Sequence, residues 1–532
     1  MVRLLFIFVS LLICAGIVFW AQTTPTAYWA FAVVGPLVLI GVRDMLQQRH
    51  AILRNFPLVG HMRYLFEGIR PEIQQYFVES DLEGRPVNRI ARSVVYQRAK
   101  QALSTVPFGT QNDVYAIGYE WMNHSLVPVE TPKAHPRIII GGPDCSRPYS
   151  ASVLNIAAMS YGSLSSAAIR ALSGGAKEGG FFHNTGEGGV SPHHLEGGGD
   201  LCWQIGTGYF GCRAADGGFD LAKFEETVHH DNVKLVELKL SQGAKPGKGG
   251  ILPAAKITEE IARIRGVPMG IDVISPSAHT AFDTPIGLME FIQTMRRASG
   301  GKPTGFKLCV GKRREFIALC KAMVETGITP DFISVDGGEG GTGAAPLEFT
   351  DSMGSPLVEG LVFVHNALTG YGLRDRIKVI ATGKVMTGFA MAKRIAVGAD
   401  LCAAARAFMF SLGCIQALQC NSNHCPTGVA TQDPRLMRGL VVADKVSRVH
   451  HFHEGTVKAF MEMLGASGLT HPDHLRPWHI HRRVNQWKVQ HYGEIFDYVG
   501  AGDLLSEPLP PSYARAARAA SAHTFSYVGS DQ

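Results

Sequence analysis

The sequence predicts an α/β fold, a closed (β/α)8 barrel of the TIM class, preceded by a hairpin of two transmembrane helices. Three observations support this prediction. Residues 4–21 and 27–42 are two apolar stretches without a charged side chain. From residue 138 onward, short apolar runs alternate with helical stretches, which is the pattern of βαβ units and a parallel sheet. These runs end in glycine or polar residues, where the βα loops of a barrel form its binding site.

The two apolar stretches are each close to the length that crosses a bilayer, and a short polar turn (22–26) separates them. Basic residues flank both stretches: Arg3, Arg43, Arg49 and Arg54. Because basic flanks stay on the cytoplasmic side, we expect a multi-pass protein of the cell membrane with its barrel in the cytoplasm. The alternative is a signal peptide followed by a core helix, although no small-residue cleavage site follows residue 21.

We expect five segments along the 532-residue chain. They are the transmembrane hairpin (1–45), a collar of helices and loops (46–137), the barrel (138–440), a helical cover (441–506) and a flexible tail (507–532). Charged residues make up 18% of the chain, below the usual quarter, which suits a membrane anchor and a large buried core. The net charge of +6 is modest for this size, so we expect no binding of nucleic acid.

Nine segments are predicted as strands, which is one more than an eight-stranded barrel needs. They are 153–158, 181–184, 203–206, 233–239, 270–274, 305–310, 332–336, 378–382 and 400–404. We expect either 270–274 or 203–206 to be the extra segment. The predicted helices are 163–178, 256–265, 285–298, 312–327, 355–370 and 387–397. A doubly wound open sheet is the main alternative, but no G-x-G-x-x-G motif follows an early strand.

Three cysteines near the end of the barrel segment are closely spaced. Cys414, Cys420 and Cys425 form the pattern C-x5-C-x4-C-P. Thiolates grouped in this way can ligate an iron–sulfur cluster, and three ligands without a nearby fourth favour a 3Fe-4S cluster. The alternative is a structural zinc ion that also uses His424, although adjacent His424 and Cys425 are awkward ligands for one tetrahedral ion.

The other cysteines and histidines carry a weaker signal. Most of the ten cysteines stand singly in apolar stretches, as buried free thiols do, so we expect a reducing compartment. The histidine pairs lack the spacing of a metal site and are interpreted as structural. His279 follows a predicted strand and could therefore contact a substrate.

Several strings in one order resemble the glutamate synthase family over roughly residues 138 to 440. Besides the cysteine segment, they are Met159-Ser160-Tyr161-Gly162-Ser163, Asn184-Thr185-Gly186-Glu187-Gly188-Gly189, Gln242-Gly243-Ala244-Lys245-Pro246-Gly247 and Gly337-Gly338-Glu339-Gly340-Gly341-Thr342-Gly343-Ala344. The resemblance implies a barrel that binds FMN and a 3Fe-4S cluster held by the three cysteines.

The resemblance also implies which residues hold FMN. Backbone contacts to the flavin ring come from Met159, Ser160, Tyr161 and Gly162, and the ring edge is met by Gln204, Lys239 and Lys307. A cation at Lys307 would stabilise negative charge on the reduced ring. The glycine-rich loop would pass close to the flat ligand: Asp336, Gly337, Gly338, Gly340, Gly341 and Thr342. The phosphate would lie against the last two strands, at Gly383, Lys384, Ala404, Ala405 and Arg406.

Three further residues are predicted to be catalytic. Lys245 and Arg265 match family positions that hold 2-oxoglutarate, and a point charge with a bidentate fork suits two carboxylates. Glu187 is the family's glutamate, which we expect to link the substrate, flavin and cluster regions. The family pattern K-P-G-E-G-G-Q is altered here, because Lys248 and Ile251 replace its glutamate and glutamine. This change leaves the identity of the 2-oxo acid open.

The expected activity is that of a glutamate synthase-like oxidoreductase, which reduces a 2-oxo acid imine with electrons from a ferredoxin-like or membrane donor. No amidotransferase segment precedes the barrel, so nitrogen would come from ammonia, a separate amidotransferase subunit or an amine. No dinucleotide-binding segment is evident. Two alternatives remain: an FMN-dependent amino- or hydroxy-acid dehydrogenase that feeds membrane carriers, and a non-catalytic membrane electron-transfer or sensor flavoprotein.

Overall fold

Two units make up the chain in the computed structural model, which describes residues 2–102, 105–132 and 134–527. The first unit is Met1–Arg89 and the second is Ile90–Gln532. The helices of the first unit are α1 (Val2–Ala21), α2 (Phe31–Leu46), α3 (Ala51–Asn55) and α4 (Gly60–Ile73). A 3-10 turn, Pro25–Ala30, precedes α2, and a π-helical turn, Gln74–Val78, follows α4.

Two spans of the first unit, among the described residues, are long and apolar enough to cross a membrane: Val2–Ala21 and Pro25–Leu46. Pro25 separates them, because a proline disfavours helical geometry at the residue before it and Thr24 is accordingly extended. Length and composition make both spans compatible with a membrane hairpin. A signal sequence or a core helix can have the same composition.

The second unit contains all the strands and the remaining helices of the described residues. Its strands are β1 (Glu120–Met122), β2 (Arg137–Ile140), β3 (Tyr149–Ser152), β4 (Leu154–Ile156), β5 (Phe182–Asn184), β6 (Asp200–Ile205), β7 (Val233–Lys239), β8 (Ile251–Leu252), β9 (Val273–Ile274), β10 (Thr304–Cys309), β11 (Phe332–Asp336), β12 (Lys378–Thr382), β13 (Leu401–Ala404), β14 (Ile480–Arg483) and β15 (Val489–His491). Its helices are α5 (Arg89–Ala99), α6 (Ser166–Gly179), α7 (Pro192–Glu196), α8 (Leu221–Val228), α9 (Glu259–Arg265), α10 (Pro285–Ala298), α11 (Arg313–Thr326), α12 (Leu347–Ser352), α13 (Leu357–Gly370), α14 (Gly388–Ala396), α15 (Arg406–Ser411), α16 (Pro434–Met437), α17 (Val442–Ala466), α18 (Tyr492–Ile495) and α19 (Pro511–Arg518).

Eight parallel strands close into a barrel in the order β4-β5-β6-β7-β10-β11-β12-β13, with β13 pairing back to β4. This confirms the predicted fold class. The extra predicted strand is 270–274, because β9 pairs antiparallel with β8 outside the barrel. The segment 203–206 belongs to the barrel as part of β6.

The predicted barrel helices are present: 285–298 matches α10 at both ends, and the other five have ends shifted by at most three residues. Ser165, Thr258, Thr284 and Thr387 each accept a hydrogen bond from a backbone N–H in the first turn of α6, α9, α10 and α14. Such a cap contributes about 1 kcal/mol to helix stability. The caps therefore place each helix start at a definite residue after its strand or loop.

The helical cover packs closely on the barrel. Helix α17 lies against α6, where a methyl group on Gly175 would come within 2.4 Å of a Val449 methyl carbon. The segment from 507, predicted to be flexible, includes α19, whose Tyr513 stacks on Phe363 with ring centroids 5.7 Å apart. Lys321 Nζ also donates to backbone oxygens of this segment. An Ala-rich sequence alone gave no sign of these partners.

Candidate active site

The predicted site residues lie around one end of the barrel. Seven strands end at this mouth with Asn184, Ile205, Lys239, Cys309, Asp336, Thr382 and Ala404. Since all eight strands are parallel, the loops that follow them meet at the same end. Met159 follows β4, and its N–H donates to Asn184 O at 3.1 Å, which joins the first two loops.

Glu187 is the centre of a buried charge cluster, which we call the cation cluster and define as Glu187, Lys239, Lys245 and Arg265. Lys239 Nζ donates to Glu187 Oε2 at 2.6 Å. Burial would raise the pKa of Glu187, but the positive charges of Lys239, Lys245 and Arg265 outweigh it and lower the pKa. Glu187 is therefore a carboxylate at neutral pH.

Arg265 lies at the end of α9 and is 4% exposed. Its Nη2 donates to Tyr161 O at 2.9 Å, and its guanidinium lies 5.2 Å from the centre of the Phe210 ring. Its Nε is buried and has no hydrogen-bond partner among the described residues. Burial lowers the pKa of Arg265 to about 10, and Glu187 opposes that shift. The side chain therefore stays cationic, and its Nε–H is available to a ligand.

Lys245 is 2% exposed and donates through Nζ to Ala344 O at 3.2 Å. Burial lowers its pKa to about 8, while Glu187 opposes that shift and Lys239 and Lys248 add to it. The ammonium is thus charged at neutral pH but close to its titration point. The cation cluster as a whole carries three basic groups against one carboxylate.

Glycines surround the cation cluster because the backbone leaves no room for side chains. A methyl group on Gly206 would come within 2.6 Å of Glu187 Oε2, and one on Gly250 within 2.4 Å of Glu187 Oε1. On Gly243 it would come within 1.7 Å of Gly337 O. Gly206 and Gly250 are therefore explained by close approach to the Glu187 carboxylate, and Gly243 by close approach to the backbone of the glycine-rich loop.

A second buried carboxylate, Glu237, lies inside the barrel wall and was not predicted from the sequence. It is 2% exposed and accepts hydrogen bonds from Asn184 Nδ2 at 2.8 Å and Gln204 Nε2 at 2.7 Å. Ser334 Oγ donates to its other oxygen. Gln204, predicted to meet the flavin edge, is thus held in place by Glu237. A charged residue within the apolar strand sequence of β7 was the available signal.

Lys307 and Asp336 form an ion pair on neighbouring strands, with 3.3 Å between Lys307 Nζ and Asp336 Oδ2. Burial would lower the pKa of Lys307, but Asp336 and Glu237 outweigh it and raise the pKa. Asp336 also accepts a hydrogen bond from Gly243 N at 3.0 Å. The predicted flavin-edge lysine is therefore a permanent cation fixed in position by the adjacent strand.

His279 is buried and held by two hydrogen bonds. Its Nε2 lies 2.9 Å from Lys239 O, and its Nδ1 lies 3.1 Å from the Tyr209 hydroxyl, which accepts from Thr280 N and Ala281 N. A carbonyl can only accept, so Nε2 carries the proton and Nδ1 accepts from Tyr209. Burial lowers the pKa of His279 to about 4. The imidazole is therefore neutral and supports the backbone of Lys239.

The glycine-rich loop begins buried at Gly337 and is exposed at Gly341 and Thr342. A methyl group on Gly341 would come within 1.1 Å of Arg406 Nη2, so this loop and Arg406 are in direct contact. Burial lowers the pKa of Arg406, opposed by Asp336, Cys420 and Cys414. Arg406 therefore lies between the glycine-rich loop and the cysteine segment.

The predicted phosphate residues lie on adjacent strands. Thr382 pairs with Ala403, which places Gly383 and Lys384 beside Ala404 and Ala405 at the mouth. Ala404 is buried, and Ala405 caps α15. Tyr161 and Ser160 face elsewhere: the Tyr161 hydroxyl donates to Glu260, and Ser160 Oγ donates to Ser163 Oγ at 3.0 Å. Their backbone, rather than their side chains, is what the first loop offers at the mouth.

The cysteine segment brings three thiols near one another. Burial raises the pKa of Cys414 to about 12, and the negative charges of nearby Cys420 and Cys425 add to that rise. Burial would raise the pKa of Cys425, but hydrogen bonds from Thr427, Val429 and Ala430 outweigh it and lower the pKa. Gln416, Leu418 and Asn423 have positive φ angles of 59°, 57° and 66°, a backbone strain that accumulates at functional loops.

Among the residues that the structure describes, no group of three or more His, Cys, Asp or Glu side chains is arranged to hold a metal ion. The donor chemistry still fits a thiolate-ligated cluster. Three thiols share one strained loop, Cys425 has hydrogen-bond donors that favour its thiolate, and the cations Lys256 and Arg406 lie within electrostatic reach of Cys420.

Lys256 ties the cysteine segment to the first loop of the mouth. It is 2% exposed, and its Nζ donates to Ser163 O, to Cys420 O at 3.2 Å and to Ala430 O at 3.1 Å. Gln432 Nε2 reinforces this link by donating to Gly162 O at 3.1 Å and Leu164 O at 2.9 Å. Sequence reasoning missed Lys256, because its three acceptors are widely separated along the chain.

Comparisons with known proteins were consistent with one family. A family model described as "Conserved region in glutamate synthase" matches residues 137–470. The glutamate synthase large subunit-like protein YerD of Bacillus subtilis is 37% identical over 489 residues, which are 84% of this chain and 93% of that protein. The archaeal glutamate synthase (NADPH) of Methanocaldococcus jannaschii is 34% identical over 322 residues, and the match covers 60% of each chain. A solved flavocytochrome b2 mutant with pyruvate bound aligns over 86% of this chain and 94% of that chain with a TM-score of 0.40 and 12% identity, a likeness too distant to inform the site.

Proposed function

Because the chain belongs to the glutamate synthase family of oxidoreductases that act on CH–NH2 donors, we propose that it reduces the imine of a 2-oxo acid to an amino acid. The proposed substrate is 2-oxoglutarate and the product is glutamate. The imine forms from the oxo acid and ammonia with loss of water, and its reduction takes up two electrons and two protons. The electrons would come from ferredoxin or a similar one-electron donor.

The observation that carries this proposal is the excess of positive charge in the cation cluster. Lys239, Lys245 and Arg265 are three buried bases, and Glu187 compensates only one of them. Uncompensated buried charge is costly, so the arrangement favours a ligand with two negative charges. A 2-oxo dicarboxylate meets this requirement, with Arg265 as a bidentate partner and Lys245 as a point charge.

The same residues would orient the substrate and exchange protons. Arg265 Nε is a buried donor that still lacks a partner among the described residues, so it can receive a carboxylate oxygen. Lys245, with a pKa of about 8, can bind as a cation and release a proton near neutral pH. Glu187 Oε2 accepts a hydrogen bond from Lys239 Nζ at 2.6 Å and thereby fixes the position of the Lys239 ammonium.

The mouth fits FMN. We propose that the first loop (159–162), Gln204, Lys239, Lys307 and the glycine-rich loop (336–342) surround the ring. We propose that Gly383, Lys384, Ala404, Ala405 and Arg406 meet the phosphate. The supporting observations are a fixed cation at Lys307 and glycine backbone that can approach a flat ligand closely. When bound, FMN would supply hydride to the imine, and a 3Fe-4S cluster on Cys414, Cys420 and Cys425 would supply single electrons.

We further propose that the apolar spans of the first unit anchor the enzyme in the cell membrane as a two-helix hairpin, with the barrel in the cytoplasm. The supporting observations are the length and apolar character of Val2–Ala21 and Pro25–Leu46 and the basic residues that flank them. The nitrogen source we propose is ammonia, supplied free or by a separate amidotransferase subunit.

Anaerobic purification of the full chain in detergent tests this function. We expect one FMN per chain, iron and sulfide in the ratio of a three-iron cluster, and glutamate formation from 2-oxoglutarate, ammonium and reduced ferredoxin. Cys420→Ser should lose the sulfide and the ferredoxin-dependent turnover while keeping the flavin. Cys145→Ser is the matched control, because Cys145 lies outside the cysteine segment and its Sγ donates to Gly301 O at 3.3 Å, far from the other thiols in sequence.

Two results would contradict the proposal. One zinc per chain without sulfide would show that the three cysteines hold no iron–sulfur cluster and therefore no electron carrier. Flavin reduction by amino or hydroxy acids, but not by reduced ferredoxin, would instead favour the dehydrogenase alternative. Both measurements are made on the same anaerobic sample.

A further inference from the structure

Helix α4 (Gly60–Ile73) carries a continuous apolar face that is exposed to the surroundings. Along this helix and the following π-helical turn, the large apolar side chains are exposed: Met62 54%, Leu65 60%, Phe66 55%, Ile69 40%, Ile73 39% and Phe77 84%. Gly60 is the one residue of α4 that is buried. A short helix with this many exposed large apolar side chains is unusual for a surface in water.

The spacing of these residues places them on one side of the helix. At about 100° per residue, Met62, Leu65, Phe66, Ile69 and Ile73 fall within an arc of roughly 100°. Phe77 continues the arc into the π-helical turn. The remaining surface of α4 is polar and charged. The helix therefore has the two-sided character of an interfacial amphipathic helix.

Two arginines of α4 lie beside one edge of the apolar arc, and Glu72 lies beside the other. By the same helical angle, Arg63 and Arg70 lie at about 80–100° from Met62, along one edge of the arc. Arg63 also pairs with Glu67 at 2.8 Å on the polar side. Arg43, Arg49 and Arg54 precede the helix in the chain. Long basic side chains at the edge of an apolar face suit anionic lipid headgroups.

A buried carboxylate fixes the start of α4 to the end of the second apolar helix. Asp44, two residues before the end of α2, is 4% exposed. Its Oδ2 accepts a hydrogen bond from Leu58 N at 3.1 Å and lies 2.9 Å from His61 Nε2. This clamp holds the first turn of α4 at the level where the apolar run of α2 gives way to Arg43 and Asp44.

We propose that α4 lies in the plane of the membrane surface, with its apolar arc in the acyl region and Arg63 and Arg70 at the anionic headgroups. This inference rests on the proposed membrane hairpin. It goes beyond the hairpin because it assigns a third, non-spanning contact with the bilayer. A lipid partner is favoured over a second copy of the chain. The reason is that the hydrogen bonds of Asp44 join the start of α4 to the end of α2, which the proposed hairpin places at the membrane surface.

Site-specific photo-crosslinking of the full chain tests this orientation. Benzoylphenylalanine is placed at Phe66, within the apolar arc, and separately at Gly68, where an added side chain meets nothing within 4 Å among the described residues. Both proteins are reconstituted in vesicles of phosphatidylcholine and phosphatidylglycerol. We expect the yield of lipid adducts at position 66 to exceed that at position 68 by at least about tenfold, because only the arc enters the acyl region.

Carbonate extraction of the same vesicles separates the inference from its premise. If the protein resists extraction but position 66 crosslinks to a second chain, to residues 90–532, or to lipid no more than position 68 does, the in-plane helix is refuted and the hairpin stands. If the protein is extracted, the hairpin fails and the inference fails with it.

The double variant Phe66→Glu and Ile69→Glu gives a second readout. It should remain resistant to carbonate, since the hairpin is intact. Hydrogen exchange of the amides in residues 60–73 should become at least about tenfold faster in vesicles than for the unaltered chain, because a charged face leaves the acyl region. Unchanged exchange would refute the proposal.

Discussion

The two units of this chain differ in which side chains they expose and which they bury. In Met1–Arg89, large apolar side chains point outward: Leu4 is 71% exposed and Phe19 is 75% exposed. In Ile90–Gln532, basic side chains are buried at the mouth of the barrel: Lys245 is 2% exposed and Arg265 is 4% exposed. Each arrangement is unfavourable for a protein alone in water.

Under the two proposals above, each unit would be completed by something that is not part of the polypeptide: lipid for the first and an anionic substrate for the second. Exposed apolar helices are stable when lipid replaces water around them, whereas buried cations are stable when an anion joins them. Exposed apolar helices are compatible with any apolar medium around them. The cation cluster, in contrast, would bind a ligand of defined charge and shape.

The largest effect is expected for Arg265→Met in the barrel. Removing the buried cation that pairs with a substrate carboxylate costs about 2–5 kcal/mol, so kcat/KM for the 2-oxo acid should fall by roughly thirtyfold to several thousandfold. Steady-state kinetics measures this. Arg263→Met is the matched control, because Arg263 is on the same helix but exposed, and it should change kcat/KM by less than about twofold. Equal losses in both variants would show that Arg265 only packs.

The next effect concerns the first unit. Leu11 lies in the middle of α1 and is 66% exposed. An arginine at the centre of a membrane helix costs about 2.5–3.5 kcal/mol, so Leu11→Arg should greatly reduce the fraction that resists carbonate extraction. Leu11→Phe should leave that fraction unchanged. If the arginine variant stays fully resistant, the apolar surface of α1 does not face lipid.

A smaller effect is expected for Gly243→Ala, which tests the tight backbone around the cation cluster. The added methyl group would lie 1.7 Å from Gly337 O, so the loops must separate. Overpacking of this kind lowers the free energy of unfolding by about 1–3 kcal/mol, which thermal unfolding with a flavin signal can detect. Gly311→Ala is the control, since a methyl group there meets nothing within 4 Å among the described residues. A neutral Gly243→Ala would show that the loops are loosely packed.

The smallest effect is a pH dependence of KM. Lys245 has a pKa of about 8 and binds a carboxylate only when protonated. KM for the 2-oxo acid should therefore be flat below that pKa and rise above it, by up to about tenfold per pH unit. Lys245→Arg should flatten the profile, because the guanidinium keeps its charge. A profile that rises as the pH falls would contradict the assignment.

Much of the fold was predictable from local patterns. Apolar runs such as 305–310 and 332–336 mark strands buried on both faces, and capping residues such as Thr284 mark helix starts. The segment 270–274 looked the same locally, yet it pairs with Ile251–Leu252 outside the barrel. Short apolar runs do not reveal their pairing partner, so the ninth strand could only be placed by the structure.

Site residues that stand in or near recognisable motifs were predictable from the sequence. Those whose contacts are far away along the chain were not. Glu187 and Arg265 stand in or near recognisable strings, and the structure brings both to the cation cluster. The role of Glu237 depends on side chains from three other strands, and that of Lys256 on carbonyls at 163, 420 and 430. Such contacts follow from the closed barrel and not from sequence proximity.

The close approach of Gly206 and Gly250 to the Glu187 carboxylate also limits which positions of the enzyme can be changed. Saturation mutagenesis at Gly206 or Gly250 would yield mostly inactive clones, since even alanine would displace the carboxylate. Lys248 is exposed, and its ammonium lies 5.5 Å from the centre of the Phe349 ring near the same loop. A library that varies Lys248 and Phe349 while sparing the glycines would explore acceptance of longer or less acidic oxo acids.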